Sequence, residues 1–310
     1  MLARVAENLY WIGRNVERCE HCARYLKVQF FSTLDAPMSQ NKDFTLRSIL
    51  FMSGSNYQSQ TILNENEVWQ KVIFDLNNTN SILSLIQQTR ENARSIRNVI
   101  SEEFWESINR WYLTTKELDP KDFSSDDIFA FSEQMNADIV LIQSRLHHTF
   151  LHDDIWSFIN LGIYVERALQ ILRIIRSKIS DSNILSDNGV NQTILQYQFT
   201  TLLMCLEAFD IYIKKYQGVR SKKTIFDLVL MNDLFPRSFK YTSLKIKRHL
   251  HGISVYPQGH LELKENFDRI LAEYLNFDSF SEEDQIISFV DKAYNSISNF
   301  HYQIEQLYFK

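Results

Sequence analysis

The sequence has 310 residues, a net charge of −5 and ordinary globular proportions of hydrophobic (45%) and charged (23%) residues; this length is enough for one large domain or two small ones. Its 7 Gly and 4 Pro fall well below average usage, which argues against a turn-rich fold and favours long helices. The negative net charge argues against a basic nucleic-acid binder, and we predict an all-α protein that does not bind nucleic acid.

The first predicted element is a helix of about eight turns near the amino terminus. Apolar side chains recur at alternating intervals of four and three residues from Val5 to Phe30, which places them in one seam along a helix. Asp35 and Pro37 are predicted to end this helix. Because Glu7 interrupts the apolar pattern and no small-residue cleavage site follows, we do not interpret the start as a signal peptide.

A second seam with the same spacing runs from Phe158 to Ile179. A shift of 149 residues superposes the two seams and reveals the shared pattern G-x-x-V-E-R-x-x-x-x-x-R. The identical pairs are Gly13 and Gly162, Val16 and Val165, Glu17 and Glu166, Arg18 and Arg167, and Arg24 and Arg173. Identical polar residues at identical offsets exceed what amphipathicity alone requires. We therefore predict two related long helices at the centre of a helical bundle.

Helical periodicity of shorter range covers the remaining chain. The predicted segments are Phe44–Met52, Glu67–Leu76, Ile82–Arg97, Glu103–Leu118, Asp126–His148, Ile194–Gln217, Ile225–Met231, Ser238–Leu250, Glu265–Leu275 and Glu282–Tyr308. The softest breaks are Leu118–Ser125 and Ser180–Asn191, and no Gly-rich linker divides the chain. We predict one domain over 1–310, built of two intertwined halves, 1–150 and 151–310.

The thiols of Cys19 and Cys22 form a Cys-x-x-Cys pair. A structural zinc site needs four ligands, and Cys205 is the one further cysteine. A redox pair belongs at the start of a helix, whereas this pair falls in mid-helix, so we interpret both as small buried or half-buried side chains. Three cysteines without a secretory signal indicate the reducing cytoplasm. The longest apolar run, near 193–206, is too short and polar to cross a membrane.

Other chemistry-bearing motifs are incomplete. His148 and His152 have the spacing of two metal ligands on a helix, but neither a His-Glu-x-x-His nor a Glu-x-x-His motif occurs. The Gly-rich nucleotide-binding loops and the Gly-x-Ser-x-Gly elbow are also missing. We therefore predict no metal and no cofactor, and we assign no catalytic residue.

The repeated Glu-Arg pairs are the strongest candidates for a site. Glu17-Arg18 and Glu166-Arg167 each lie beside a seam, where an isolated buried ion would cost several kcal/mol. In one interpretation they form interhelical bridges that fix register. In the other they line a central cleft with Arg14 and bind a carboxylate or phosphate through guanidinium forks.

Two further groups could contact anions. Three arginines are predicted to share one helical stripe, which is either an anion-binding geometry or a solvated face: Arg90, Arg94 and Arg97. Arg237 and Ser238 follow Phe235-Pro236 at a predicted helix start inside the most basic stretch of the chain, and helix N-termini attract anions. The same basic face could instead dock an acidic protein.

Four stretches resemble the bacterial alpha-E family: MLARVAENLYWIGRNVERCEHCARYL, RENARSIRNVISEEFWESIN, WSFINLGIYVERALQILR and FPRSF. They span most of the chain in fitting order. The resemblance implies an all-helical cytoplasmic protein whose genes accompany, or are fused to, a circularly permuted ATP-grasp ligase and a transglutaminase-like protease. The motif positions are Glu17, Arg18, Glu166 and Arg167, and no catalytic role is carried over. Cys19 and Cys22 depart from the family pattern.

This resemblance suggests a non-catalytic binding or scaffold component of a peptide-ligation system. Its partners would be the ligase and the protease of that system, with a peptide or carboxylate ligand and no membrane. The alternative is an enzyme acting on a peptide or carboxylate, with Glu17 or Glu166 as general acid/base. A purely structural oligomer former would instead expose a large apolar patch.

Overall fold

The computed structural model describes residues 1–35, 42–54, 63–187, 192–217, 221–254, 257–275 and 283–310. Within these ranges the regular structure is helical throughout, which confirms the all-α prediction. None of the described helices is both long enough and apolar enough to cross a bilayer. Pro37 lies outside the described residues, as do the last four residues of the predicted break at Ser180–Asn191. The first eight residues of that break are helical, so the prediction is wrong there.

The helices closely follow the predicted segments. In chain order they are α1 (Ala3–Asp35), α2 (Lys42–Ser53), α3 (Glu65–Trp69), α4 (Ile82–Ser95), α5 (Glu102–Lys116), α6 (Ile128–Thr149), α7 (Asp154–Asp187), α8 (Gln192–Cys205), α9 (Phe209–Tyr216), α10 (Lys222–Phe226), α11 (Phe239–Gly252), α12 (His260–Leu275) and α13 (Glu283–Tyr308). Short π-helical segments extend α3 over Gln70–Phe74 and α10 over Asp227–Met231. A 3-10 turn at Ser125–Asp127 leads into α6.

The chain groups into two compact units. The α5 unit comprises Asn15–Leu151, and the α7 unit comprises Met1–Arg14 together with His152–Lys310. The long helix α1 therefore contributes its first turns to the α7 unit and its remaining turns to the α5 unit.

In the α5 unit, α5 packs between α4 and α6. Its buried face carries Phe104, Ile108 and Trp111 at intervals of four and three residues, the spacing of one helical stripe. A serine forms the N-cap of each of the helices α4 and α5. Ser81 accepts a hydrogen bond from the backbone N–H of Ser84 in α4, and Ser101 caps α5 in the same way.

In the α7 unit, α7 packs against α8, α11 and α13, and α12 packs against α11 and α13. The second seam is buried as predicted, including Phe158, Leu161 and Val165. Aromatic rings fill the space around α12 and α13; the rings of Phe267 and Phe300, for example, lie 4.4 Å apart between centroids. These buried faces hold α7 in place and so position its Glu-Arg motif.

One segment that was predicted as a single helix forms two helices. The segment Ile194–Gln217 forms two helices, α8 and α9, separated at Leu206–Ala208. Glu207 takes a left-handed backbone conformation (φ 52°), which ends α8, and its carboxylate pairs with Arg237 at 2.7 Å. A non-glycine residue carries no sequence signal for this conformation, so the apolar periodicity alone predicted an unbroken helix.

Candidate functional site

Two glycines mark the point where α1 and α7 cross in the α7 unit. A Cβ atom on Gly13 would lie under 3.0 Å from the carbonyl oxygen of Ile159, and one on Gly162 equally close to the carbonyl oxygen of Tyr10. Tyr10 and Ile159 are themselves related by the shift of 149 residues. The contact is therefore reciprocal, and the close backbone approach requires glycine at both positions.

The glutamate of each motif copy is fully buried, with 0% exposure for Glu17 and Glu166. In the α7 unit, Gln170 Nε2 donates to Glu166 Oε1 at 2.7 Å. In the α5 unit, His21 Nε2 and Glu17 Oε1 are 3.1 Å apart. Gln170 and His21 both follow their glutamate by four residues, so one side of each carboxylate is held by its own helix.

The second oxygen of Glu166 binds a guanidinium from α1. Arg14, which is 3% exposed, donates from Nε (2.8 Å) and Nη2 (2.6 Å) to Glu166 Oε2. This is a buried interhelical bridge, made by Arg14 rather than by the arginine of either motif. Within the described residues, Arg14 Nη1 and Gln170 Oε1 have no hydrogen-bond partner. This buried polar cluster therefore contains a donor atom and an acceptor atom whose hydrogen bonds are not made.

The surroundings of Arg14 include a third helix of the α7 unit. Tyr10 Oη and His301 Nδ1 are 3.0 Å apart, and burial raises the pKa of the Tyr10 phenol against the lowering effect of Arg14. Burial also raises the pKa of Glu305 in α13, again opposed by Arg14. The guanidinium therefore compensates negative charge from α7 and α13 in a partly desolvated space.

The first copy carries a charged network of its own on α1. Arg24 Nη2 lies 3.1 Å from His21 Nδ1, and because a guanidinium has no acceptor, Nδ1 is the acceptor. The ring proton is then on Nε2, which donates to Glu17. Burial, followed by the nearby charge of Arg24, lowers the pKa of His21, consistent with this neutral tautomer.

Three groups of this network have the spacing of metal ligands. The ligand atoms of Glu17, Glu20 and His21 lie within 4.8 Å of one another. Arg24 Nη1 donates to Glu20 Oε1 at 2.8 Å, and the same guanidinium donates to His21. Arg24 therefore bonds to two of the three groups in this cluster.

The motif arginines are partly exposed, in contrast to the glutamates. Arg18 Nη1 donates to Asn80 Oδ1 at 3.0 Å in the α5 unit. Arg167 lies over the ring of Tyr164, 5.1 Å from its centroid, and that ring stacks on His249. The same motif position thus has a polar neighbour in one copy and an aromatic neighbour in the other.

The predicted stripe of three arginines on one helix is wrong, because α4 ends at Ser95 and only Arg90 and Arg94 belong to it; all three arginines contact acidic residues. Arg90 donates to Glu91 at 2.7 Å, and Arg94 contacts the same carboxylate at 3.4 Å. Arg97 lies beyond the end of α4 and pairs with Glu102 at 2.8 Å.

The other predicted anion contacts are also engaged within the chain. Arg237 pairs with Glu207. Ser238 is fully buried, accepts from the backbone N–H of Tyr241 as the cap of α11, and donates to the carbonyl of Asn232. Cys19 and Cys22 are free buried thiols, which agrees with the prediction, and Cys205 is a free buried thiol as well.

Sequence reasoning missed two cavities. One, of about 500 Å³, lies between α12 and α13, and the other, of about 410 Å³, lies between α5 and α6. Neither is lined by a residue of the Glu-Arg motifs. Their walls are polar and apolar residues of ordinary amphipathic helices, for which the sequence gives no motif.

Comparison with known proteins relates the whole chain to a described family. Residues 1–309 match the family model Alpha-E, described as a predicted alpha-helical domain with a conserved ER motif. Uncharacterized proteins of Mycobacterium bovis and Mycobacterium tuberculosis are 22% identical over 271 residues. That match covers 81% of this chain and 30% of theirs, so the chain spans less than a third of these relatives. No solved structure matches the chain.

Proposed function

The chain belongs to the Alpha-E family, and we propose that it is a non-catalytic helical binding or scaffold component of a peptide-ligation system. Its partners in this proposal are an ATP-grasp ligase and a transglutaminase-like protease, acting with it in the cytoplasm. The motif glutamates brace the helices, and the partly exposed motif arginines contact the partner or its peptide or carboxylate ligand.

The observation that carries the proposal is the burial of both motif carboxylates. A general acid or base must come within hydrogen-bond reach of its substrate, and Glu17 and Glu166 have no exposed surface. Each is also bonded to the side chain four residues further along its helix. This arrangement supports a bracing role over the alternative in which either carboxylate transfers protons.

The size of the mycobacterial relatives gives further support. The stretch similar to this chain makes up 30% of their length, so a domain of this kind occurs there as part of a longer protein. A scaffold that works beside other domains fits this arrangement. Exposed lysines at α9 and at the start of α10, Lys214, Lys215 and Lys223, offer a basic face for an acidic surface of such a partner.

Co-expression with an ATP-grasp ligase from the same organism, followed by affinity capture, tests the proposal. We expect a complex that the Arg18→Ala/Arg167→Ala variant loses while its far-ultraviolet circular dichroism is unchanged. Arg94→Ala is the matched control, because Arg94 is an exposed arginine outside both motifs. Failure to recover any complex, together with unchanged ligase activity after deletion of this chain, would overturn the proposal.

A further inference from the structure

The cavity between α12 and α13 is a groove with the size of a ligand site. Its volume of about 500 Å³ is within the range of small-molecule pockets, roughly 300–1,000 Å³. The two helices run antiparallel, since Gly259 lies beside Leu307 and Asn266 Nδ2 donates to Gln303 Oε1 at 2.7 Å. The rings of Phe267 and Phe300 are tilted by 42° to each other with their centroids 4.4 Å apart, and they pack the two helices together beside this cavity.

One stripe of α12 supplies charge at both ends of the cavity. Glu262, Asn266 and Arg269 line it at intervals of four and three residues, which places them on one face of the helix. Seven residues separate Glu262 from Arg269, about 10 Å along the helix axis. Both are exposed, and neither forms a hydrogen bond or ion pair with any residue that the structure describes.

The wall between these charges is rich in amides. Asn266, Gln303 and Gln306 line the cavity, with Leu263 and Leu307 below and Tyr302 at the rim. A carboxamide both donates and accepts hydrogen bonds, as does each peptide group of a chain. The lining therefore matches the backbone of a peptide as well as its two charged ends.

We propose that this groove binds a short peptide with both termini free, its ammonium group at Glu262 and its carboxylate at Arg269. An extended chain advances about 3.3–3.6 Å per residue, so roughly three residues span the distance between the charges. The guanidinium of Arg269 binds the carboxylate through charge-assisted hydrogen bonds. A dicarboxylate is disfavoured by Glu262 and a diamine by Arg269, and a single amino acid is too short to reach both ends.

Isothermal titration calorimetry with the full chain and trialanine tests the proposal. We expect binding of trialanine, at least tenfold weaker binding of N-acetyl-trialanine and of trialanine amide, and weaker binding still of alanine. Glu262→Gln should abolish the difference between trialanine and its acetylated form. Arg269→Gln should abolish the difference between trialanine and its amide.

Glu265→Gln on α12 and Arg248→Ala on α11 are the matched controls, since both residues are exposed outside the groove; both variants should bind as the parent does. Absence of binding at millimolar trialanine overturns the proposal, as does equal binding of the free and blocked peptides. Variants that weaken all forms alike overturn the assignment of the two ends. The titration uses the isolated chain, so its result is independent of whether a ligase complex is captured.

Discussion

The two copies of the Glu-Arg motif share a geometry and differ in chemistry. In both, a fully buried glutamate bonds to the residue four positions later, which is His21 in α1 and Gln170 in α7. Gln170 donates at every pH, whereas His21 can gain a proton. The comparison shows that both copies have a hydrogen bond to the buried carboxylate from the residue four positions later, although the type of that residue differs.

The copies also differ in their arginines. Glu166 receives Arg14 from the crossing helix, and the position equivalent to Arg14 in α7 is Ile163. The glycines, by contrast, are equivalent: each meets the other helix's backbone in the same way. Backbone approach is thus the symmetric part of the repeat, and charge is its variable part.

The largest effect is expected where the two helices are equivalent. Gly13→Ala and Gly162→Ala should each destabilise the fold by about 3 kcal/mol or more, because the added methyl meets a backbone carbonyl that cannot rotate away. Urea unfolding followed by circular dichroism measures this. Gly252→Ala is the control, since its Cβ would lie 3.4 Å from Ser157 Oγ, and we expect a change within about 0.5 kcal/mol. Tolerance of alanine at one crossing glycine alone would break the equivalence.

The second largest loss of stability is expected from removal of the buried ion pair between Arg14 and Glu166. Glu166→Ala should cost about 3–5 kcal/mol, because it leaves the Arg14 guanidinium buried without its carboxylate. The double variant Arg14→Leu/Glu166→Ala should cost less than the sum of the two single variants, since neither charge is then stranded. Arg94→Ala, at an exposed pair, should change stability by under about 1 kcal/mol. Additive single effects would contradict the bridge.

A pH dependence sharpens the contrast between His21 and Gln170. The pKa of His21 is lowered in the folded protein, so below about pH 6.5 the unfolded chain binds the proton more readily. The stability that neutral His21 provides is therefore complete above that pH and is lost as the pH falls through the folded pKa, by at most about 1.4 kcal/mol per pH unit.

His21→Gln should flatten the stability profile between neutral and mildly acidic pH, measured by urea unfolding at a series of pH values. Gln170→His should steepen it, because the second copy then acquires a buried titratable ring. A residual slope of the same sign is expected from His260, whose pKa burial lowers to about 4. Identical profiles for the parent and His21→Gln would refute the assignment.

The smallest effect is expected at the motif arginines. Arg18→Ala and Arg167→Ala should each change the free energy of unfolding by about 1 kcal/mol or less, because both side chains are partly exposed and the contact of Arg167 with Tyr164 is a cation–π interaction. Thermal unfolding measures this. A loss as large as that of Glu166→Ala would make the arginines part of the brace rather than a contact surface.

Much of the fold could be predicted from the spacing of apolar residues, and the repeat from identical residues that occur 149 positions apart. The seams predict α1 and α7, and the shift of 149 residues pairs Gly13 with Gly162, the two residues at the crossing. Periodicity reports which face of a helix is apolar, and it therefore carries this information well. It also predicted α12 and α13, whose buried faces are regular.

The details of the site depend on which side chain lies opposite in space. Nothing in the sequence identifies Arg14 as a partner of Glu166, because that contact depends on how the two helices cross. The break at Glu207 arises from a left-handed backbone conformation, which the presence of a glutamate in the sequence does not predict. The groove beside Asn266 consists of residues that are individually ordinary and become a site by facing α13.

The grouping of Met1–Arg14 with His152–Lys310 has a consequence for synthesis. The first turns of α1 leave the ribosome well before Gly162 exists, and at about 5–20 residues per second roughly 150 residues take some 7–30 s to add. During that interval the α1 seam has no crossing helix to cover it in the nascent chain. Completion of the α7 unit therefore has to follow the synthesis of His152–Lys310, and until then the apolar side chains in the first turns of α1 are uncovered.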